Sequence, residues 1–178
     1  MQIRAVCMDD AAALAEIYAP YVTDTAITFE TEVPTAAEFR ERMARITARY
    51  PYLVAEEAGE ILGYAYASTF IARQAADWTV ETSIYVNRAA CHKGVGRALH
   101  EALEAALGEL GIVNLCAAIA APCDDNPYLD DNSLRFHDHM GYTQVARFDR
   151  VGHKFGHWVD LVWMQKRIND TPVSLPWQ

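Results

Sequence analysis

From Ile84 through Asn87 and Arg88 to Cys91-His92-Lys93-Gly94-Val95-Gly96-Arg97, the chain passes from a strand-like pattern through a glycine turn into a strongly periodic helix. Small residues there let the backbone N–H groups of 92–97 come close to an anion, and the N-terminus of a helix adds roughly half a positive charge. Lys93 and Arg97 supply full charges in a chain whose formal balance is −9. A pyrophosphate is the guest such chemistry suits. A tight β–α turn whose glycines serve only backbone geometry is the alternative. Two nucleotide-binding patterns are absent: no Gly-Lys-Ser/Thr offers a hydroxyl to magnesium as in a P-loop, and no GxGxxG follows a β-α-β opening.

Other reactive residues give less. His137 and His139 are two apart, so on a helix they point to different sides and form no metal pair. His153 and His157 flank Gly156 without a third ligand, and no metal is expected. The cysteines at 7, 91, 116 and 123 form no CxxC pair and read as free thiols of a reducing, cytoplasmic compartment. Neither Cys91 nor Cys116 has a Cys–His–acid set near it in sequence, so no thiol nucleophile is expected.

The elements that must position the loop follow from periodicity. Ile3–Val6 is a short strand, and Asp9 caps a helix through Leu14, Ile17 and Tyr18. Thr35 and Glu38 form a capping box ahead of Phe39, Met43 and Ile46. Tyr52–Glu57 and Ile61–Phe70 read as a hairpin around Ala58-Gly59-Glu60. Trp78–Val86 alternates Trp78, Val80, Thr82, Ile84 and Val86 against Thr79, Glu81, Ser83 and Tyr85. Val95, Leu99, Leu103, Ala106, Leu107 and Leu110 form one apolar helical stripe, ended by Gly111. A strand at Leu115–Ala120, a loop at Pro122–Asp131, a helix at Ser133–Met140 and strands at Thr143–Arg150 and Trp158–Gln165 follow. The order β-α-α-β-β-β-α-β-α-β-β implies an α+β domain, a mixed sheet covered by helices. It spans residues 1–168, with 169–178 a proline-containing tail over the surface.

Size and composition agree with one globular domain. The chain has 178 residues, 52% hydrophobic and 22% charged, and buries roughly 70% of its unfolded surface. It has no secretory h-region and no apolar run long enough for a membrane span. With 24 acidic against 15 basic residues it would repel phosphate backbones, so nucleic acid is not an expected partner.

Several blocks in order resemble one family. The GNAT superfamily of N-acetyltransferases marks its acetyl-CoA site by Arg/Gln-x-x-Gly-x-Gly/Ala after a bulged strand, which here reads Cys91-His92-Lys93-Gly94-Val95-Gly96. Cys91 departs from the usual arginine or glutamine and weakens that one contact. The likeness is closest to the phosphinothricin and methionine sulfoximine acetyltransferase-like branch and runs from about residue 3 to 168, through AEIYAPYV with ITFE, DWTVETSIYV, SLRFHDHMGY and VGHKFGHWVDLVWMQ.

The resemblance implies a central mixed sheet of six to seven strands with about four helices, acetyl-CoA as co-substrate, and direct attack by the amine of a small amino-acid-like acceptor. Ile84, Tyr85, Val86 and the loop residues His92, Lys93, Gly94, Val95, Gly96 and Arg97 would hold the cofactor, the Val86 N–H facing the thioester carbonyl. Asn132 joins them, with Asn126 as its alternative because the loop PCDDNPYLDDNS that holds both is longer than in better-known members. Glu81 would take the amine proton, directly or through water, since an alkylammonium of pKa about 8–10 is no nucleophile until deprotonated. His137 stands where many relatives place a tyrosine and would return a proton to the leaving thiolate. Arg73 would grip an acceptor carboxylate, and Phe29, Glu30 and Tyr21 would line the acceptor pocket. Each has a plainer alternative: a solvated strand glutamate, a packed strand tyrosine, a helix histidine bonded to backbone, a solvated arginine. Acetylation of protein N-termini or polyamines, or a non-catalytic acyl-CoA sensor, are the rival functions. A homodimer through the last two strands is implied by likeness alone.

Overall fold

The computed structural model describes residues 1–91 and 93–177, and His92, one of the expected cofactor contacts, lies outside the described residues. Seven strands form a single sheet: β1 (Gln2–Ala5), β2 (Tyr52–Glu57), β3 (Glu60–Thr69), β4 (Thr79–Val86), β5 (Asn114–Pro122), β6 (Thr143–Lys154) and β7 (His157–Arg167). Their spatial order is β1-β2-β3-β4-β5-β7-β6. Four helices cover it: α1 (Ala11–Thr23), α2 (Ala36–Thr47), α3 (Val95–Leu110) and α4 (Asn132–His139). The mixed α+β class expected from the order of elements is the one observed. Among the described residues no helix is long and apolar enough to cross a membrane.

Alternation along β2 explains the two cores. Tyr52 and Val54 face α1 and α2, where Leu14, Ile17, Phe39 and Met43 are buried. Ala55 faces the other side, where α3 inserts Leu99, Leu103 and Leu107. Each such leucine contributes roughly 1.5–3 kcal/mol of burial, enough to make α3 the anchor of the domain. The capping box on α2 is formed: the Glu38 N–H donates to Thr35 Oγ1 at 3.2 Å, and the Thr35 N–H to Glu38 Oε2 at 2.7 Å.

Three local readings need correction. The carboxylate at the head of α1 belongs to Asp10, not Asp9: Asp10 accepts from the Cys7 N–H at 2.7 Å and from both Arg4 Nη atoms. Arg4 from β1 reaches this position, a contact across six residues that local capping patterns do not encode. The last two strands run further than their alternation suggested, meeting in a turn at Phe155-Gly156, both with positive φ. Finally, the tail does not merely lie over the surface. Leu175 is 3% exposed within the α3 core, and Trp78 Nε1–H donates to the Val173 carbonyl at 2.7 Å.

What positions the site is the one parallel pair. β4 and β5 are joined only over Thr79–Glu81 and Asn114–Cys116. Past Glu81 each continues, β4 bonded to β3 and β5 bonded to β7, and the two are no longer paired with each other. Gly63 lets β3 and β4 close up at this end: an added Cβ would lie 2.8 Å from the Tyr85 carbonyl oxygen and 3.1 Å from Val86 Cα. No side chain fits there.

Candidate active site

The split between β4 and β5 opens a small cleft of about 60 Å³, lined by Thr82–Tyr85 of β4, Ala117–Ala120 of β5 and His137 of α4. It lies beside a larger groove of about 730 Å³ to which Val86, Gly94, Gly96, Arg97, Asn132 and Phe136 contribute. The structure therefore gathers most of the expected cofactor residues around two adjoining hollows, with Ile84 and Tyr85 at the cleft. Val95 is apart: as the first residue of α3 it is buried in the core. Lys93 is exposed and lines neither hollow.

The groove suits a phosphorylated ligand for two reasons. Gly94 precedes α3 at φ +80°, and no side chain caps the helix, so its first N–H groups remain available to an anion. A Cβ on Gly94 would meet nothing within 4 Å, so the cradle in front of the helix is open. Arg88, Arg97 and Arg135 line the groove, paired with Asp24, Glu101 and Asp131 respectively. Of the two candidate asparagines, Asn132 lines the groove. Asn126 is buried in its own loop, accepting from the Tyr128 N–H at 3.0 Å.

Tyr21 bridges α1 to the end of β4. Its hydroxyl donates to the Val86 carbonyl at 2.6 Å and accepts from the Val86 N–H at 3.3 Å. The N–H expected to face a thioester carbonyl is thus held by this phenol.

Glu81 is the last β4 residue still paired with β5, opposite Cys116, and its other neighbour is Ser68 on β3. It is half-buried, and burial raises its pKa above the ordinary carboxylate value. His137 is 4% exposed; its Nδ1 lies 2.8 Å from the Ser133 carbonyl oxygen. A carbonyl only accepts, so Nδ1 carries the proton of the neutral ring and Nε2 keeps its lone pair. Burial lowers its pKa. Behind it, His100 Nε2 is 3.0 Å from the Tyr142 hydroxyl, which is 3.3 Å from Thr82 Oγ1. Burial lowers the His100 pKa to about 4, so this string is uncharged at neutral pH.

On the α1/α2 face lies a separate cavity of about 360 Å³ whose lining includes five tyrosines. Tyr85 borders both this cavity and the β4–β5 cleft. Its ring packs edge-on against Tyr18 and Tyr21, with centroids 4.9 and 5.2 Å away. Glu30 also lines the cavity; it receives Tyr18 Oη–H at 3.2 Å and a bidentate pair from Arg42 at 2.7 and 3.0 Å. Phe29 is exposed, its ring against Gly152 of β6. Lys154, at the end of β6, donates to the Thr28 carbonyl at 2.9 Å and ties the β6–β7 turn to this segment. Arg73 sits apart on the exposed loop after β3, where Nη1 donates to the adjacent Ala72 carbonyl. Arg42, Arg45, Tyr18, Tyr52, Tyr64 and Tyr66 carry no functional expectation from the sequence, which assigns a site role only to Tyr85 and Glu30 of this lining.

Among the described residues no group of three His, Cys, Asp or Glu side chains could hold a metal ion. All four cysteines are free.

Comparison with known proteins adds a family. A model described as "Acetyltransferase (GNAT) domain" matches residues 3–163. The phosphinothricin N-acetyltransferase of Streptomyces viridochromogenes is 34% identical over 166 residues, spanning 93% of this chain and 87% of that protein. The L-methionine sulfoximine/L-methionine sulfone acetyltransferase of Salmonella typhimurium is 34% identical over 171 residues, spanning 96% of each. Among solved structures, a GNAT superfamily phosphinothricin acetyltransferase from Sinorhizobium meliloti in complex with AcCoA superposes with a TM-score of 0.88 at 32% identity, covering 97% of this chain and 92% of that one.

Proposed function

This chain belongs to the GNAT acetyltransferase family, and from that premise we propose that it transfers acetyl from acetyl-CoA to the free amine of a small amino-acid-like acceptor, of the phosphinothricin and methionine sulfoximine type its relatives are named for. One observation carries the reading: two hollows of different character meet at Tyr85. One adjoins an uncapped helix N-terminus and three arginines, and the other is a small aromatic cavity. The second, at about 360 Å³, is large enough for an amino acid.

Acetyl-CoA, when bound, supplies the thioester. The N–H groups at the start of α3, with Gly94 and Gly96 giving close approach and Lys93 and Arg97 giving charge, are assigned to its pyrophosphate. Ile84, Tyr85, Val86 and Asn132 are assigned to the arm. Glu81 takes the amine proton on its carboxylate, a base whose burial brings its pKa closer to that of the amine. His137 hands a proton to the departing sulfur from Nε2, which must first be loaded because the neutral ring holds its proton on Nδ1 toward Ser133. Arg73, which has no carboxylate partner among the described residues, grips the acceptor carboxylate; Phe29 and Glu30 border the acceptor. The acetyltransferase domain is taken as 1–168 and the tail as 169–178, whose Val173 and Leu175 pack back on the domain. Free cysteines suit a cytoplasmic setting, and a charge of −9 makes nucleic acids and anionic membranes poor partners.

A thiol-release assay with acetyl-CoA and a panel of amines tests this. Phosphinothricin and methionine sulfoximine should be turned over far better than spermidine or an N-terminal peptide. Micromolar CoA binding with no turnover of any amine would leave the sensor reading instead.

A further inference from the structure

The aromatic cavity holds three charged side chains, and they do not cancel. Arg42 and Glu30 face one another as a bidentate pair, Nη1 to Oε1 at 2.7 Å and Nη2 to Oε2 at 3.0 Å. Arg45 follows Arg42 by three residues on α2, which sets it on the same side of the helix. It lines the same cavity and, among the described residues, has no ion-pair partner. A protein of charge −9 thus turns one unneutralised cation toward this hollow.

The neutral groups around it point the same way. Tyr52 and Tyr64 are brought together by register, Tyr52 opposite Tyr66 and Tyr64 opposite Tyr85. Burial pushes the phenols of Tyr52, Tyr64 and Tyr66 up, so all remain protonated. Phenols in that state donate hydrogen bonds and take no proton. The cavity lining therefore offers a guanidinium and phenolic donors, but no free acceptor carboxylate, since Glu30 is occupied. Such a lining stabilises a group rich in lone pairs, and best of all one with negative charge.

We infer that Arg45 determines acceptor specificity, by selecting amino acids whose side chain ends in an anionic group, such as a phosphinate or carboxylate, over neutral isosteres. The inference rests on the proposed acetylation of small amino acids and adds which of them is preferred. Arg45 binds the acceptor's side chain and takes no part in proton transfer, so its effect falls on KM.

The test compares phosphinothricin, whose phosphinate is anionic, with L-methionine sulfone, whose side chain is neutral. Wild-type, Arg45→Gln and Arg45→Glu enzymes are assayed with both, and binding of both acceptors is measured by calorimetry. Arg45 is exposed, which limits the contact through solvent screening. Arg45→Gln should lower the phosphinothricin-to-sulfone ratio of kcat/KM about five- to tenfold, through KM, and Arg45→Glu should lower it further. The binding ratio should shift in the same sense. A ratio unchanged within twofold in both variants overturns the inference while leaving acetyl transfer standing. If the wild type acetylates neither acceptor, the proposed function falls, and the calorimetric ratio still decides whether Arg45 discriminates by charge.

Discussion

At the scale of the residue, the strongest chemical assignment falls on Glu81, and its environment gives the assignment a direction in pH. Its carboxyl sits at the last rung joining β4 to β5, where burial holds its pKa above the ordinary 4.5. A base acts in its ionised form, so activity due to Glu81 is complete above that raised pKa and is lost as pH falls through it. The acid limb of kcat/KM should therefore lie above the ordinary carboxylate range. Glu81→Gln keeps the shape and removes the basicity. It should cut kcat roughly 10²–10⁴-fold at neutral pH and erase that limb, leaving a rate that climbs with pH as free amine accumulates. Full pH profiles of both enzymes check this; wild-type turnover in the variant at pH 7 would make Glu81 a structural strand residue. His137 illustrates how geometry qualifies a role read from position. The Ser133 carbonyl fixes which nitrogen is protonated, a constraint from the preceding helical turn that the residue type alone does not carry.

At the scale of the element, α3 is the part that connects stability to binding. Its N-terminus is uncapped because Gly94, in a left-handed conformation, has no side chain to offer. An aspartate there would find free space for its Cβ but would carry the strain of positive φ, and a capping side chain works from an extended backbone that this position lacks. The strain of positive φ costs about 1–2 kcal/mol, so Gly94→Asp should fold with a modestly lowered Tm, and Gly94→Ala should show the same loss. The aspartate carboxylate would put a negative charge at the start of α3 and repel a pyrophosphate. Acetyl-CoA affinity should fall at least about tenfold, or ~1.4 kcal/mol, whereas Gly94→Ala should lose much less; calorimetry on the three proteins settles it, and equal affinity in all three would remove this turn from the cofactor site. The turn was legible in the sequence because strand, glycines and helix are contiguous within 84–97 and their periods differ. The elements were legible for the same reason, down to the capping box at Thr35. The aromatic cavity was not. Tyr18, Tyr52, Tyr64, Tyr66 and Tyr85 belong to four different elements, and each alone reads as a packed aromatic. Only the strand register, with Tyr52 against Tyr66 and Tyr64 against Tyr85, turns them into one wall. Arg45 was hidden likewise, since an arginine on an exposed helix face resembles any solvated one until its neighbour Arg42 is seen to be spent on Glu30.

At the scale of the whole molecule, the sheet has two unlike margins. β1 is four residues long and is tied back through Arg4 to Asp10 and Glu56, a short and charged edge of the kind that resists pairing. β6 is twelve residues long, bonded on one side only to β7, and exposed along most of its length. Apolar side chains recur on it: Val145 is 55% exposed, Phe148 49% and Val151 50%, with Trp158 of β7 at 46%. Left in water, an edge that long and that apolar favours aggregation, and a charge of −9 restrains only nonspecific contact. A second copy of the chain meeting the first along β6 and β7 would cover it, and a homodimer is proposed on that ground. Mass measured by light scattering should then be about 40 kDa, twice the 19.9 kDa of the chain, and Tm should rise with protein concentration as mass action requires. Phe148→Lys and Val151→Glu place charges in the covered strip without touching the α3 core, so each should yield a folded monomer with a lower, concentration-independent Tm. A wild-type protein that runs as a 19.9 kDa monomer at high micromolar concentration would show that β6 tolerates its exposure, and would return the apolar strip to the list of surface features without a partner.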